Sequence, residues 1–228
     1  MNLKPFILLA LLGGGLAARA DLMLVQASGD TNATYPATLR LHGNRMRLDQ
    51  QENTNGSYAV IIDLDTRDSL TLLPKEKKFL KRSGADILKN LALDKKLFGG
   101  TNENFLMPAP AVATGKTETV NGYETELYTW IGAHKLTETL WVAKGFSNYE
   151  NIRRELAKLD RFNDAGPHRN AQPALSPLPG MVVKSELILS GQKKTTVLVS
   201  ATVEPTDATR FDLPADYSPW QSPVKPKP

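Results

Sequence analysis

The stretch from Tyr123 to Gly145, YETELYTWIGAHKLTETLWVAKG, constrains the fold most. Its alternating threonine, leucine, tryptophan and isoleucine suit a pleated surface, and Gly132-Ala133 offers a place to reverse direction. It reads as two strands folded back on each other, wet on one face and buried on the other. The other segments read as further strands of that sheet, or as helices laid against it.

The strands before it are short and separated by turn residues. Leu22–Ala27, Tyr35–His42, Arg45–Asp49, Ser57–Asp65, Ser69–Leu73 and Lys77–Arg82 form a meander, with hairpin signals at Gly43-Asn44 and Asn55-Gly56. Asp65 and Asp68 suit the turn before Ser69. The period then changes: Ser83 caps a predicted helix whose apolar stripe is Ile87, Leu88, Leu91 and Leu97-Phe98, ending at Gly99-Gly100. Residues 101–111 read as a loop, and Val112–Val120 as the strand entering the central pair through Asn121-Gly122. Ser147 and Glu150 predict a capping box for a second helix running to about Arg161, with Ile152, Leu156 and Leu159 on one side. A proline-rich connection over 164–180 leads to a last hairpin, Met181–Ser190 and Lys193–Glu204, and Phe211 and Tyr217 pin the end of the domain.

These elements predict a mainly β, α+β fold: a curled antiparallel sheet of about eleven strands forming an open half-barrel, covered by two amphipathic helices. Strands in runs give antiparallel pairing, and a sheet of that size must curl or split. Residues 21–217 form one domain, and 218–228 read as a disordered tail rich in proline and lysine.

Residues 1–20 have the layout of a secretory signal peptide: Lys4 near the start, an apolar run from Phe6 to Leu12, and small residues ending in Ala18-Arg19-Ala20. Cleavage is expected between Ala20 and Asp21, which places the protein in the periplasm or outside the cell. Without Lys4 and Arg19, 26 basic residues face 24 acidic ones, so the pI of 9.2 says little about nucleic acid, and no nucleic-acid partner is expected. The chain has no cysteine, which excludes disulfides, thiol catalysis and thiolate metal sites.

Four motifs, LRLHGNRMRLD, DLDTRDSLTLLPKEKKF, VNGYETELY…LWVAKG and ATRFDLPADY, resemble in order and spacing an uncharacterised family of exported bacterial proteins, and through it the LolA and LolB lipoprotein-carrier superfamily. The resemblance implies an incomplete antiparallel barrel whose concave side can hold acyl chains. The chain lacks the opening helix of LolA and the acylated cysteine of LolB, so no functional residue carries over.

Strand parity places Leu39, Leu41, Met46, Leu48, Val60, Ile62, Leu70, Leu72, Leu127, Ile131, Val183, Leu187, Val197 and Val199 on an inward face, lining a cavity or filling a packed core. Parity is ambiguous over Leu136–Ala143. The expected ligand is an apolar small molecule, lipid or acyl chain, with peripheral membrane contact at most. The alternative is an envelope interaction or sensing module with a filled core and a protein partner. No cofactor or metal is expected: His42, His134 and His168 lie far apart, and Asp63, Asp65 and Asp68 lack calcium-loop spacing. No nucleophile–base pairing is visible, so the chain is not expected to be an enzyme. The basic run at Lys75, Lys77, Lys78, Lys81 and Arg82 suits lysine protection of an edge strand, or contact with anionic headgroups.

Overall fold

The computed structural model describes residues 21–30, 33–52, 56–87, 89, 110–132, 136–164, 172–189 and 191–221. The predicted signal segment, most of the first predicted helix, the 101–109 loop, His134 and His168 lie outside them.

Twelve strands form one sheet: β1 (Asp21–Gly29), β2 (Thr34–His42), β3 (Arg45–Glu52), β4 (Gly56–Asp63), β5 (Ser69–Leu73), β6 (Lys78–Arg82), β7 (Val112–Val120), β8 (Tyr123–Ile131), β9 (Thr137–Ala143), β10 (Met181–Leu189), β11 (Gln192–Glu204) and β12 (Ser218–Pro219). Their order is β12-β6-β5-β4-β3-β2-β1-β11-β10-β9-β8-β7, so two meanders join where β1 meets β11 and the sheet does not close. Every pairing is antiparallel except the short β12–β6 contact. The helix α1 (Tyr149–Asp164) lies between β9 and β10 in sequence.

Local chemistry explains the turns. Asn121 and Gly122 both have positive φ, 50° and 81°, as a two-residue type I′ hairpin requires. Between β4 and β5 it is Asp63, rather than Asp65, that organises the turn: its carboxylate accepts from the Asp65 and Thr66 N–H groups, which holds it below the usual carboxylate range. Asp68 instead accepts from Gly84 N. The Ser83 hydroxyl accepts from Ala85 N, and Ser83 O from Ile87 N, so Ser83 starts the helical turn at 84–87 as expected.

The start of α1 differs from expectation. Asn148, with a positive φ of 59°, stands before the helix and its carbonyl opens the ladder, accepting from Asn151 N and Ile152 N. Among the described residues no hydrogen bond joins the Ser147 side chain to that first turn. The helix runs three residues past Arg161, to Asp164. Tyr149, Ile152 and Leu156 are buried at helical spacing and join the main core with Leu22, Leu24, Leu41, Trp141, Met181, Val183 and Leu198. Three side chains fasten the helix: Tyr149 donates to Leu178 O at 2.8 Å, Lys158 to Gly43 O at 3.1 Å, and Arg67 to Phe162 O at 2.9 Å. Burial pushes the Tyr149 hydroxyl up to about 12, so it stays a donor at any physiological pH.

The opposite face of β4 and β5 carries a second core. Ala59, Ile61 and Leu72 pack there on Phe211, with Leu70, Phe79 and Tyr217 around them. The register explains it: Ile61 lies opposite Leu70 and Ala59 opposite Leu72, whereas Val60 faces Thr71 and Ile62 faces Ser69. Leu70 and Leu72 therefore do not share a face with Val60 and Ile62, contrary to expectation. The chain after β11 forms a strap over this core. Phe211 is fully buried, with Arg45 over its ring and the His42 ring 5.6 Å away. The strap continues into Ser218 and Pro219, expected in the tail, which pair with β6 as β12.

Leu140, Trp141, Val142 and Ala143 are all buried. This resolves the ambiguous parity of that stretch: β9 is covered on both faces, with Trp141 and Ala143 in the main core and Leu140 and Val142 packed with Tyr128 and Leu178.

Candidate functional site

A pocket of about 370 Å³ lies between α1 and the sheet. Its floor comes from β1 (Leu24, Gln26), β2 (Leu39), β3 (Met46, Leu48), β9 (Glu138, Leu140), β10 (Val183, Ser185) and β11 (Thr196, Leu198). Its roof is Leu156, Leu159 and Phe162 of α1, with Pro173 and Leu175 from the chain that follows. Five strand spacings separate β3 from β9 in the sheet order. On a flat sheet that is about 24 Å, at roughly 4.8 Å per strand. Both strands line one pocket, so the sheet curls around it.

Asp160 shapes one wall. It is a buried carboxylate on α1, and it accepts from Leu175 N at 3.0 Å and Ser176 N at 2.7 Å. Two charge-assisted bonds fix the returning chain against the helix and satisfy a group that would otherwise be costly to bury.

Of the residues predicted to line a cavity, Leu39, Met46, Leu48 and Val183 do so. Leu41 is fully buried in the core beside the pocket, and Leu127 packs against that core. Val60 and Ile62 lie opposite Leu48 and Met46 in register, and so share their face beyond the pocket. Leu187 sits opposite Glu138 in the same way. The others lie elsewhere. Leu70 and Leu72 belong to the second core, and Ile131 is 67% exposed at the end of β8. Val197 and Val199 are displaced by a bulge. Gln26 pairs with Leu198 and Val25 with Ser200, so Val199 is an extra residue in β11 and is 65% exposed. Past the bulge the inward residues are Leu198 and Thr196.

The residues that parity did not supply are the polar ones, and the helix roof. Glu138 accepts a hydrogen bond from Ser185, but burial outweighs that bond and holds its carboxyl above the usual range. Thr196 lies opposite Ser185, and its hydroxyl is 2.9 Å from that of Ser28. Lys184 also borders the pocket, but its ammonium is 3.0 Å from Glu186 and sits over the Trp141 ring.

A second polar pair lies outside the pocket. Asp21 is buried, 2.9 Å from His42 Nδ1, and accepts from Thr206 N at 2.7 Å. Nothing in the sequence marked it, because the β1–β2 register brings the two together. The described residues place no serine or threonine hydroxyl in hydrogen-bond contact with His42, and they hold no group of three potential metal ligands. The pair fastens the strap to β1 and β2.

Fold and pocket together define a class: a single large, open, mainly antiparallel sheet, curled around an apolar pocket roofed by a helix. Within that class the chain belongs to the family described as "Domain of unknown function (DUF4412)", which it matches over residues 21–217. No curated protein matches the sequence. Among solved structures the chain is similar to an uncharacterized conserved protein from Thermus thermophilus, at 6% identity and a TM-score of 0.53, covering 89% of this chain and 90% of that one. That likeness is one of fold. Weaker matches are MucB in complex with MucA(peri), at 11% identity, TM-score 0.41 and 87% of this chain against 56% of that one. LprF from Mycobacterium bovis matches at 10% identity, TM-score 0.36 and 86% against 90%. No helix among the described residues is long and apolar enough to cross a membrane.

Proposed function

We propose that this protein is an exported, non-catalytic binding or carrier-like protein that holds an apolar chain, such as an acyl chain, in the curl of its sheet. The observation that carries the reading is the pocket itself. Leu24, Leu39, Met46, Leu48, Leu140, Leu156, Leu159 and Leu198 come from both meanders of the sheet and from α1, yet leave about 370 Å³ between them. That is within the ordinary range of small-molecule sites, about 300–1,000 Å³. Affinity would come from burying apolar surface, at about 25 cal/mol per Å². The motif resemblance to the LolA and LolB superfamily and the signal-like residues 1–20 support a periplasmic carrier role.

The test is native mass spectrometry of the protein purified from a bacterial periplasm without detergent. A retained mass of lipid size, lost on organic extraction, is the expected result. A bare mass that stays bare after incubation with acyl lipids would refute the reading.

A further inference from the structure

Of the pocket's polar residues, Asn163 and Gln172 come from the helix and the chain after it, whereas Glu138, Ser185, Thr196 and Gln26 lie on the adjacent strands β9, β10, β11 and β1, with Ser28 next to them on β1. Ser185 bonds Glu138 and sits opposite Thr196, and Thr196 meets Ser28 at 2.9 Å. A chain of hydrogen-bonding side chains therefore crosses the sheet. Gln26 stands beside it on β1 and lines the pocket, and its side-chain amide bonds no other described residue. Asp160 and Lys184, which also line the pocket, are committed, Asp160 to two backbone amides and Lys184 to Glu186 and Trp141.

We propose that Gln26, Glu138, Ser185 and Thr196 form a head-group subsite that takes the uncharged, hydrogen-bonding head of a single-chain amphiphile, an ester or hydroxyl head as in a monoacylglycerol. The inference rests on the apolar-chain reading and adds the ligand class. Volume sets the number of chains. At about 30 Å³ per methylene-sized unit, the share of one water in the liquid, 370 Å³ holds roughly twelve units. That is room for the greater part of one chain, not for two.

Charge sets the head. A carboxylate head would meet Glu138 and find no uncommitted cation among the described residues lining the pocket. A cationic head would need Glu138 ionised, which its burial opposes, and would add a second desolvated charge. Hydroxyl and ester groups can use the amide of Gln26, the two hydroxyls and the carboxyl without either penalty.

The experiment displaces the fluorescent apolar probe N-phenyl-1-naphthylamine with three twelve-carbon ligands, each below its micelle concentration: 1-monolauroylglycerol, laurate and dodecyltrimethylammonium. Monolauroylglycerol is expected to bind at least about tenfold tighter than either charged ligand, the worth of one or two net hydrogen bonds. Thr196→Val and Ser185→Ala, made separately, should each weaken monolauroylglycerol about five- to tenfold relative to the probe, with cooperative thermal melting showing that the variants are folded. Glu138→Gln should improve laurate, because it removes the carboxyl that a carboxylate head would meet. If the probe does not bind the wild type, the apolar-chain reading fails and takes the subsite with it. If the probe binds but a charged ligand matches monolauroylglycerol, or the hydroxyl variants leave its affinity unchanged, the subsite is overturned and the apolar-chain reading stands.

Discussion

Leu48→Trp is the sharpest test of the pocket. Leu48 lies on β3, opposite Leu39 and Val60, and its side chain borders the empty volume. Tryptophan is larger by about six non-hydrogen atoms, and the space open to them is the space a ligand chain would occupy. Displacing on the order of five methylenes forfeits roughly 0.8 kcal/mol each, about 4 kcal/mol in all. That corresponds to close to a thousandfold in Kd. The fold should survive, because the new bulk enters a void rather than a filled core. A residual packing strain of about 1–2 kcal/mol would lower the melting temperature by roughly 2–8 °C in a chain of this size. Titration with N-phenyl-1-naphthylamine, with circular dichroism melting of the same samples, separates the two effects. Wild-type affinity in a variant that still melts cooperatively would refute the reasoning, because the probe would then be bound elsewhere.

Other residues give independent tests. Burial holds the Glu138 carboxyl above its ordinary value, so the folded protein keeps this proton more tightly than the unfolded chain does. Stability therefore falls as pH rises from the unfolded value, about 4.3, through the raised folded value, and is level above it. Glu138→Gln removes that slope, so the variant's melting temperature should gain on the wild type across this window; a constant gap would contradict it. Phe211→Ala empties the second core and should cost about 3–5 kcal/mol in urea unfolding, without a matching loss of ligand affinity. Asp160→Ala leaves the Leu175 and Ser176 amides without their acceptor and should cost about 1–3 kcal/mol. Limited proteolysis should then cut faster near 172–176, and an unchanged cleavage rate would show that Asp160 does not hold this segment.

Much of the strand plan was legible because hairpin turns declare themselves locally. Gly43-Asn44, Asn121-Gly122 and Gly191 mark their reversals, and the strands between them alternate. What alternation cannot carry is a change of phase. The bulge at Val199 is set by how β11 meets β1, so Val197 and Val199 read as inward while Leu198 and Thr196 occupy those places. The Asp63 turn does the same between β4 and β5, where it fixes which parity of β5 matches Val60. Leu70 and Leu72 then fall on the far side. The physical reason is that β4 and β5 together carry apolar side chains on both faces, Val60 and Ile62 on one and Ile61, Leu70 and Leu72 on the other. A strand of that kind gives no preference for either face until its covers are known. Such a sheet needs two covers, because exposing either face would leave a broad apolar patch. Here α1 roofs the pocket face, and the strap carrying Phe211 and Tyr217 covers the other. Under the strap, Phe211 has no accessible surface, while the helix side packs Ile152 and Leu156 into the main core and leaves a pocket beside it. The proposed apolar-chain site rests on that difference between the two faces, and Leu48→Trp tests it directly.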